Sequence, residues 1–574
     1  MPTGVVVAAT DVAPLLWPLV TQADGMAPEI LEDEMLEIPS PGSRLLSRLS
    51  SRRLRGDRFS LNDRSGGKCC MGNREVSRIL GGRVIRRIDG EWTLQELDLK
   101  LEGGRIAEVA VPESRCPGTN DVNARGRIIM PGLVNAHVHS NDGFRRGMFD
   151  NMPLELYGLL KSPLTGAIPL SPEAIRIRTL LCGVECLLTG TTSVVDDVWC
   201  DDGISLESID AIMDAYDELG IRAWVTANLG DRPITEIDPF LQEYLTADQH
   251  DELTGSFVYD ADRALSICEA ALRRHNDPGT GNLVRFAMGA SGPQQCTDGL
   301  LERIWEMARS WRVPVVSHVL ETRVQAVASK LSYGMTIVEH LDRLGCLDDL
   351  THIVHGIWLT SSDIELLAAR GATVVHNPTS NLRLGSGICP VRELLDKGVN
   401  VALGSDGTCT NDTQNIFLEM RLAGCLHAAV GPDYAEWVQA TDVFEMATMG
   451  GAKAVGLDGI LGEIEPGCMA DLVLLDENST AFAPLNDVVK NVVFAEHGQS
   501  VRTVLVDGRV VVDDGRVIAV DQDDIWEEAR EHARRFFSDN EQGYQRMRDL
   551  LPAFEKAYRR AHEYPWYPSR YICQ

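Results

Sequence analysis

The sequence predicts an α/β fold: a (β/α)8 TIM-type barrel with a small β-sandwich domain built from both chain ends. Three observations carry this expectation. Short apolar runs alternate with helical patterns eight times through the middle of the chain. Segments rich in strand and turn signals flank that middle on both sides. Histidines and an aspartate close several of the apolar runs, at the end where a barrel builds its active site.

Along the chain, residues 1–70 differ from the rest. An acidic stretch at 28–37 precedes a Ser/Arg stretch in which Arg44, Arg48 and Arg52 recur at helical spacing. The expectation is a disordered extension, with a docking arm or translated upstream sequence before Met71 as the alternatives. From residue 78 the pattern becomes strands and turns: Ile79 to Val84, Leu97 to Leu101 and Ile106 to Val111, with Asp89-Gly90 and Gly103-Gly104 as turns. The same texture returns in Ala470 to Leu475, Val488 to Phe494 and Val501 to Val512. Residues 78–130 and 460–520 are therefore expected to pair into one β-domain. Between them, residues 131–459 form the barrel, with strands beginning near Val134, Ser193, Arg222, Val284, Pro314, His352, Ala372 and Asn400. Residues 521–574 read as a charged helical tail.

Composition narrows the function classes. The 574 residues carry 54 Lys plus Arg against 84 Asp plus Glu, a net charge of −30, which opposes nucleic-acid polymers and anionic membranes. Fourteen cysteines without a CxxC pair suit a reducing compartment. No apolar run reaches membrane-spanning length and no basic stretch precedes the Val5 to Ala9 patch, so a cytoplasmic location is expected.

The chemistry concentrates at strand ends. In Pro131-Gly-Leu-Val-Asn-Ala-His137-Val-His139, the period-two alternation of a strand puts both imidazoles on one side. His318 closes Val315-Val-Ser-His318 and is followed by Glu321. His355 closes Ile353-Val-His355, and Asp406 follows Val401-Ala-Leu-Gly-Ser. Singly, each has an ordinary reading as a hydrogen-bonded histidine or a helix-capping aspartate. Strands one, five, six and eight of a barrel bring them together, where polar groups at apolar strand ends are costly without a shared partner such as a divalent cation.

These motifs resemble the amidohydrolase superfamily, and within it the mononuclear deaminases and chlorohydrolases of N-heterocycles. The resemblance rests on PGLVNAHVHS (131–140), SHVLET (317–322), IVHG (353–356), HNPTSNLRLGSG (376–387), VALGSDGTCTND (401–412) and GEIEPGCMADLVLLD (462–476). It implies one Zn²⁺ or Fe²⁺ per chain on His137, His139, His318 and Asp406, with Glu321, His355 and Asp406 as the catalytic residues that handle protons and aim the nucleophile. It also implies a homo-oligomer. Binuclear relatives carry a Lys on strand four; here Leu283-Val-Arg-Phe-Ala-Met288 has none, which favours a single metal.

The activity so implied is release of ammonia from an amino-substituted heterocycle by hydroxide derived from the cation's water. The alternatives are a chlorohydrolase or cyclic-amide hydrolase using the same site, and, more remotely, a metal-binding protein without catalysis. Nucleoside-type members hold ribose with a Pro-x-Glu element after strand one and carry a His after strand four. Residues 162–169 and 289–295 supply neither, which counts against a nucleoside. Gln294 and Gln295 are candidates for a heterocycle edge, and Phe144, Trp199 and Trp358 for ring stacking. His376, in HNPTSN, is assigned by the resemblance to loop structure and pocket shape.

Overall fold

A computed structural model of the chain describes residues 75–113, 116–164, 167–199, 204–254, 260–276 and 282–572. The expectation for residues 1–70 lies outside the described residues.

Eight parallel strands make the barrel. They are Leu133–His139, Thr191–Val198, Arg222–Leu229, the interrupted pair Val284–Phe286 and Met288–Ala290, Val315–Val319, Thr351–His355, Thr373–His376, and Asn400–Leu403 continued by Asp406–Gly407. Every neighbour in the series pairs in parallel. The eighth strand closes the ring. Gly404 N donates to His376 O at 3.0 Å on one side, and Ser405 N donates to His137 O at 3.1 Å on the other. Closure needs a residue without a side chain, because a Cβ on Gly404 would stand 2.3 Å from Asn377 Oδ1 and 2.8 Å from His137 Cβ. The strands are near-continuous runs of buried residues, as expected where helices cover the outer face.

The two ends of the chain meet in one nine-stranded sheet. Leu472–Asp476, from the late segment, runs antiparallel to Arg127–Pro131, from the early one, with Leu472 opposite Pro131 and Asp476 opposite Arg127. The sheet curls over its own core of Ile79, Leu99, Ile129, Leu472 and Leu505. The bonds Val76 N to Gly508 O and Ile106 N to Cys468 O, both 2.9 Å, join the early and late segments again. Arg222, opening the third barrel strand, donates twice at 3.0 Å to buried Asp471 beside this sheet.

One expected strand is a helix. Val488–Phe494 has Asp487 as its N-cap and buries Val488, Val489, Val492 and Val493. That i, i+4 spacing gives one apolar face, and packing of the face overrides the β-branched composition.

The C-terminal segment is part of the body. Gln522–Asp539 packs on Pro172–Leu188, and Glu541–Glu563 packs on Leu154–Lys161 and Arg323–Tyr333. No helix among the described residues is long and apolar enough to cross a membrane.

Candidate active site

The strand ends carry their polar groups to one point. His137 and His139 project from the first strand with ring centroids 4.6 Å apart. His318 comes from the fifth, and His139 Nε2 lies 3.2 Å from His318 Nε2. Asp406 Oδ1 lies 3.3 Å from His139 Nε2 and 3.6 Å from His137 Nε2. His355, ending the sixth strand, places Nε2 3.5 Å from Glu321 Oε2 and 3.9 Å from Asp406 Oδ2.

The donor set fits a cation. His139 Nδ1 donates to Asp197 O at 2.5 Å and His318 Nδ1 to Ser291 O at 2.7 Å. Each ring is thereby oriented with its Nε2 lone pair toward the other. Two facing lone pairs repel unless a positive charge stands between them. His137 is fully buried with neither ring nitrogen hydrogen-bonded among the described residues, a costly state for an imidazole that a ligand would relieve. Ligand atoms of His137, His139 and His318, and likewise of His137, His355 and Asp406, lie within 4.8 Å of one another.

Burial drives the electrostatics. It pushes His137 well below the ordinary imidazole range, with His139 adding to the effect, and holds His355 at about 4. It pushes the Glu321 carboxyl well above its ordinary range, helped by Asp406 and Glu155. Burial acts on Asp406 the same way, but the imidazoles of His137 and His139 beside it prevail and hold it well below. Burial thus favours the protonated form of Glu321 and the neutral form of His355, a divergence suited to proton transfer.

A cavity of about 270 Å³ opens over these groups. His139, His318, Glu321, His355, Asp406, Gln294, Gln295 and Trp199 line it, and His137 lies beneath. Phe144 and Trp358 stand outside the lining. Phe144 lies against the His532 ring at 6.5 Å, and Trp358 donates Nε1 to Ser386 O at 2.8 Å and meets Tyr571 edge-on. Both rings pack in the shell between barrel and C-terminal segment. His376 is also off the site, 5.4 Å from the His427 ring.

Glu155, Lys161 and Phe554 are among the lining residues that were not anticipated. Glu155 belongs to Pro153-Leu154-Glu155, a Pro-x-Glu element just upstream of residues 162–169. It lies outside residues 162–169, which carry no glutamate. Glu155 Oε1 accepts from Thr322 Oγ1 at 2.6 Å, while Oε2 is enclosed without a hydrogen-bond partner among the described residues. Burial raises this carboxyl to about 7. After strand four, Ser291 and Gln294 line the cavity and no histidine stands there.

Known proteins share this arrangement. The Amidohydrolase family model matches residues 128–511. A 5′-deoxyadenosine deaminase of Methanopyrus kandleri is 32% identical over 473 residues, spanning 80% of this chain and 99% of the relative. A 5-methylthioadenosine/S-adenosylhomocysteine deaminase of Thermococcus kodakarensis is 32% identical over 417 residues, 72% of this chain and 89% of that one. Among solved structures, an adenosine deaminase from Xanthomonas campestris with bound zinc superposes with TM-score 0.69 at 30% identity, covering 80% of this chain and 98% of its own. An atrazine chlorohydrolase from Arthrobacter aurescens TC1 complexed with zinc gives 0.70 at 26% identity, covering 79% and 99%. With the ring of eight strands, the histidines and carboxylates at its C-terminal face and these likenesses along most of its length, the chain belongs to the amidohydrolase family and is a hydrolase of non-peptide carbon–nitrogen bonds.

Proposed function

We propose that this protein deaminates the adenine ring of a nucleoside with a small apolar or thioether group at its 5′ position. The observation that carries the proposal is one cavity holding Glu321, His355 and Asp406 beside the enclosed, half-satisfied carboxylate of Glu155. The names of the relatives, a 5′-deoxyadenosine deaminase and a methylthioadenosine deaminase, support it.

His137, His139, His318 and Asp406 would hold one divalent cation, zinc by likeness to the zinc-bearing neighbours. When bound, it supplies the Lewis acidity that brings water's ionisation toward neutral pH. Asp406 Oδ2 and His355 Nε2 receive the proton of the attacking water. Glu321, protonated beforehand, delivers its proton to a ring nitrogen and so makes the adjacent carbon electrophilic. It then takes up that water proton from His355 and passes it to the exocyclic amine, which leaves as ammonia, and the second proton of the added water returns to Glu321 as the ring carbonyl forms. Glu155 accepts from a sugar hydroxyl, and Gln294 offers both donor and acceptor to the ring edge.

The absence of a histidine after strand four favours a second reading, hydrolysis of a ring C–Cl bond in the same site. Purified zinc-loaded protein is assayed for ammonia with 5′-deoxyadenosine, 5′-methylthioadenosine and free adenine, and for chloride with a chlorotriazine. The expected result is ammonia from both nucleosides at a kcat/KM above that of adenine. Chloride release without ammonia overturns the proposal in favour of the second reading.

A further inference from the structure

The helix Glu541–Glu563 lies beyond residues 128–511, the span of the family model, yet it reaches the active cavity. Its buried residues Tyr544, Met547, Leu550, Phe554, Ala557 and Ala561 recur at three- and four-residue intervals and form one apolar face. That face packs with Leu159, Phe240, Leu241, Val324 and Val327. Two of the elements beneath it are cavity walls: Leu154–Lys161 presents Glu155, and Arg323–Tyr333 presents Val324 and Ala328. Polar bonds fix the same junction. Tyr544 Oη donates to Lys161 O at 3.1 Å, Leu164 N donates to Met547 Sδ at 3.4 Å, and Arg323 Nη2 donates to Tyr564 O at 2.7 Å.

Phe554 is the residue of this helix that lines the cavity, beside the apolar lining residues Leu164, Ile234, Ile237 and Val324. The cavity is small, about 270 Å³, against roughly 300–1,000 Å³ for ordinary ligand sites. The ring of Phe554 is nearly enclosed, 4% exposed, and packed on several elements at once, so a substrate group cannot displace it cheaply. We infer that Phe554 is the specificity residue that limits the length of the substituent at the substrate's 5′ position. The inference rests on the nucleoside reading above and deepens it.

The test compares wild type with F554A, F554L and F554W, each zinc-loaded and full length, on adenosines bearing 5′-hydrogen, 5′-methylthio and 5′-butylthio groups. The quantity read is the ratio of kcat/KM for the butylthio compound to that for 5′-deoxyadenosine. Each methylene accommodated or refused in an apolar pocket changes selectivity about tenfold or more. F554A is expected to raise the ratio at least tenfold and F554L less, mainly through KM, while F554W lowers it. Thermal melts accompany each variant; if F554A does not fold, F554L and F554W still move the ratio in opposite directions. A ratio that stays flat across the folded variants refutes the role of Phe554 while leaving the deaminase reading intact. A wild type that deaminates none of the series refutes the nucleoside reading, and this inference falls with it.

Discussion

Replacing Glu155 by Gln is expected to stabilise the protein and weaken recognition at once. The wild-type carboxyl is raised from 4.5 to about 7, chiefly by burial and against the hydrogen bond from Thr322. Between those two values the folded protein binds a proton that the unfolded chain releases. Its stability therefore falls as pH rises from about 4.5 through 7. At pH 8 the whole penalty is present and amounts to at most about 3.5 kcal/mol, taking about 1.4 kcal/mol per pH interval. Glutamine cannot ionise and keeps an acceptor for Thr322 Oγ1. E155Q should therefore withstand more urea than wild type at pH 8, and the advantage should shrink toward zero near pH 5. A charge-assisted hydrogen bond to a sugar hydroxyl is worth about 1.5–3 kcal/mol, so kcat/KM for 5′-deoxyadenosine should drop about 10- to 150-fold, with free adenine little affected. Urea titrations at both pH values and ammonia release with both substrates measure the two halves. A variant less stable than wild type at pH 8 refutes the electrostatic argument. Unchanged selectivity for nucleoside over base refutes the assignment of Glu155 to the sugar.

Further outcomes follow from the site and its frame. H137A and D406A should each lose zinc and activity together, read as metal per chain by mass spectrometry; stoichiometric zinc in both would remove them from the ligand set. E321Q should retain zinc and lose about 10²- to 10⁴-fold in kcat, the usual worth of a positioned acid, and a wild-type rate would take Glu321 out of the reaction. D471A leaves the Arg222 guanidinium buried and unpaired at the joint between barrel and sheet. It should cost about 3–5 kcal/mol in a urea melt, and a loss under about 1 kcal/mol would show that the pair does not hold the joint.

The barrel was legible because each strand is a short apolar run that ends on polar residues, and eight such runs leave few other topologies. Val488–Phe494 misled because Val-Val-Lys-Asn-Val-Val-Phe is strand-like in composition, while its helical spacing shows only when the buried face is known. Phe144 and Trp358 sit just after strands, as stacking residues would, but the shell that buries them comes from C-terminal residues such as His532 and Tyr571. Glu155 was within reach, since Pro153-x-Glu155 follows the first strand at short range. Phe554 was not: an amphipathic helix announces an apolar face, and nothing in its own pattern says which cavity that face borders.

Two of the proposed catalytic residues also break the backbone rules that made the barrel readable. His355 and Asp406 have φ of 72° and 64°, the left-handed region that side chains avoid at a cost of about 1–3 kcal/mol each. Such a turn at the end of a strand swings the side chain out of the alternation and toward the centre of the ring, so strain is the condition for convergence. Something must hold it, and the segment Asn377-Pro-Thr-Ser-Asn381 does so. Asn381 Oδ1 lies 2.9 Å from His355 Nδ1, with Asn377 Nδ2 at 3.3 Å, and Ser380 Oγ donates to Asp406 Oδ2 at 2.6 Å. Those three side chains are fully buried. The acceptor at Nδ1 keeps the proton of His355 there and leaves Nε2 free toward Glu321 and Asp406 as a base. The polar run after strand seven thus shapes the site by fixing a tautomer and two strained residues, a task that requires short amide and hydroxyl side chains and has no need of His376.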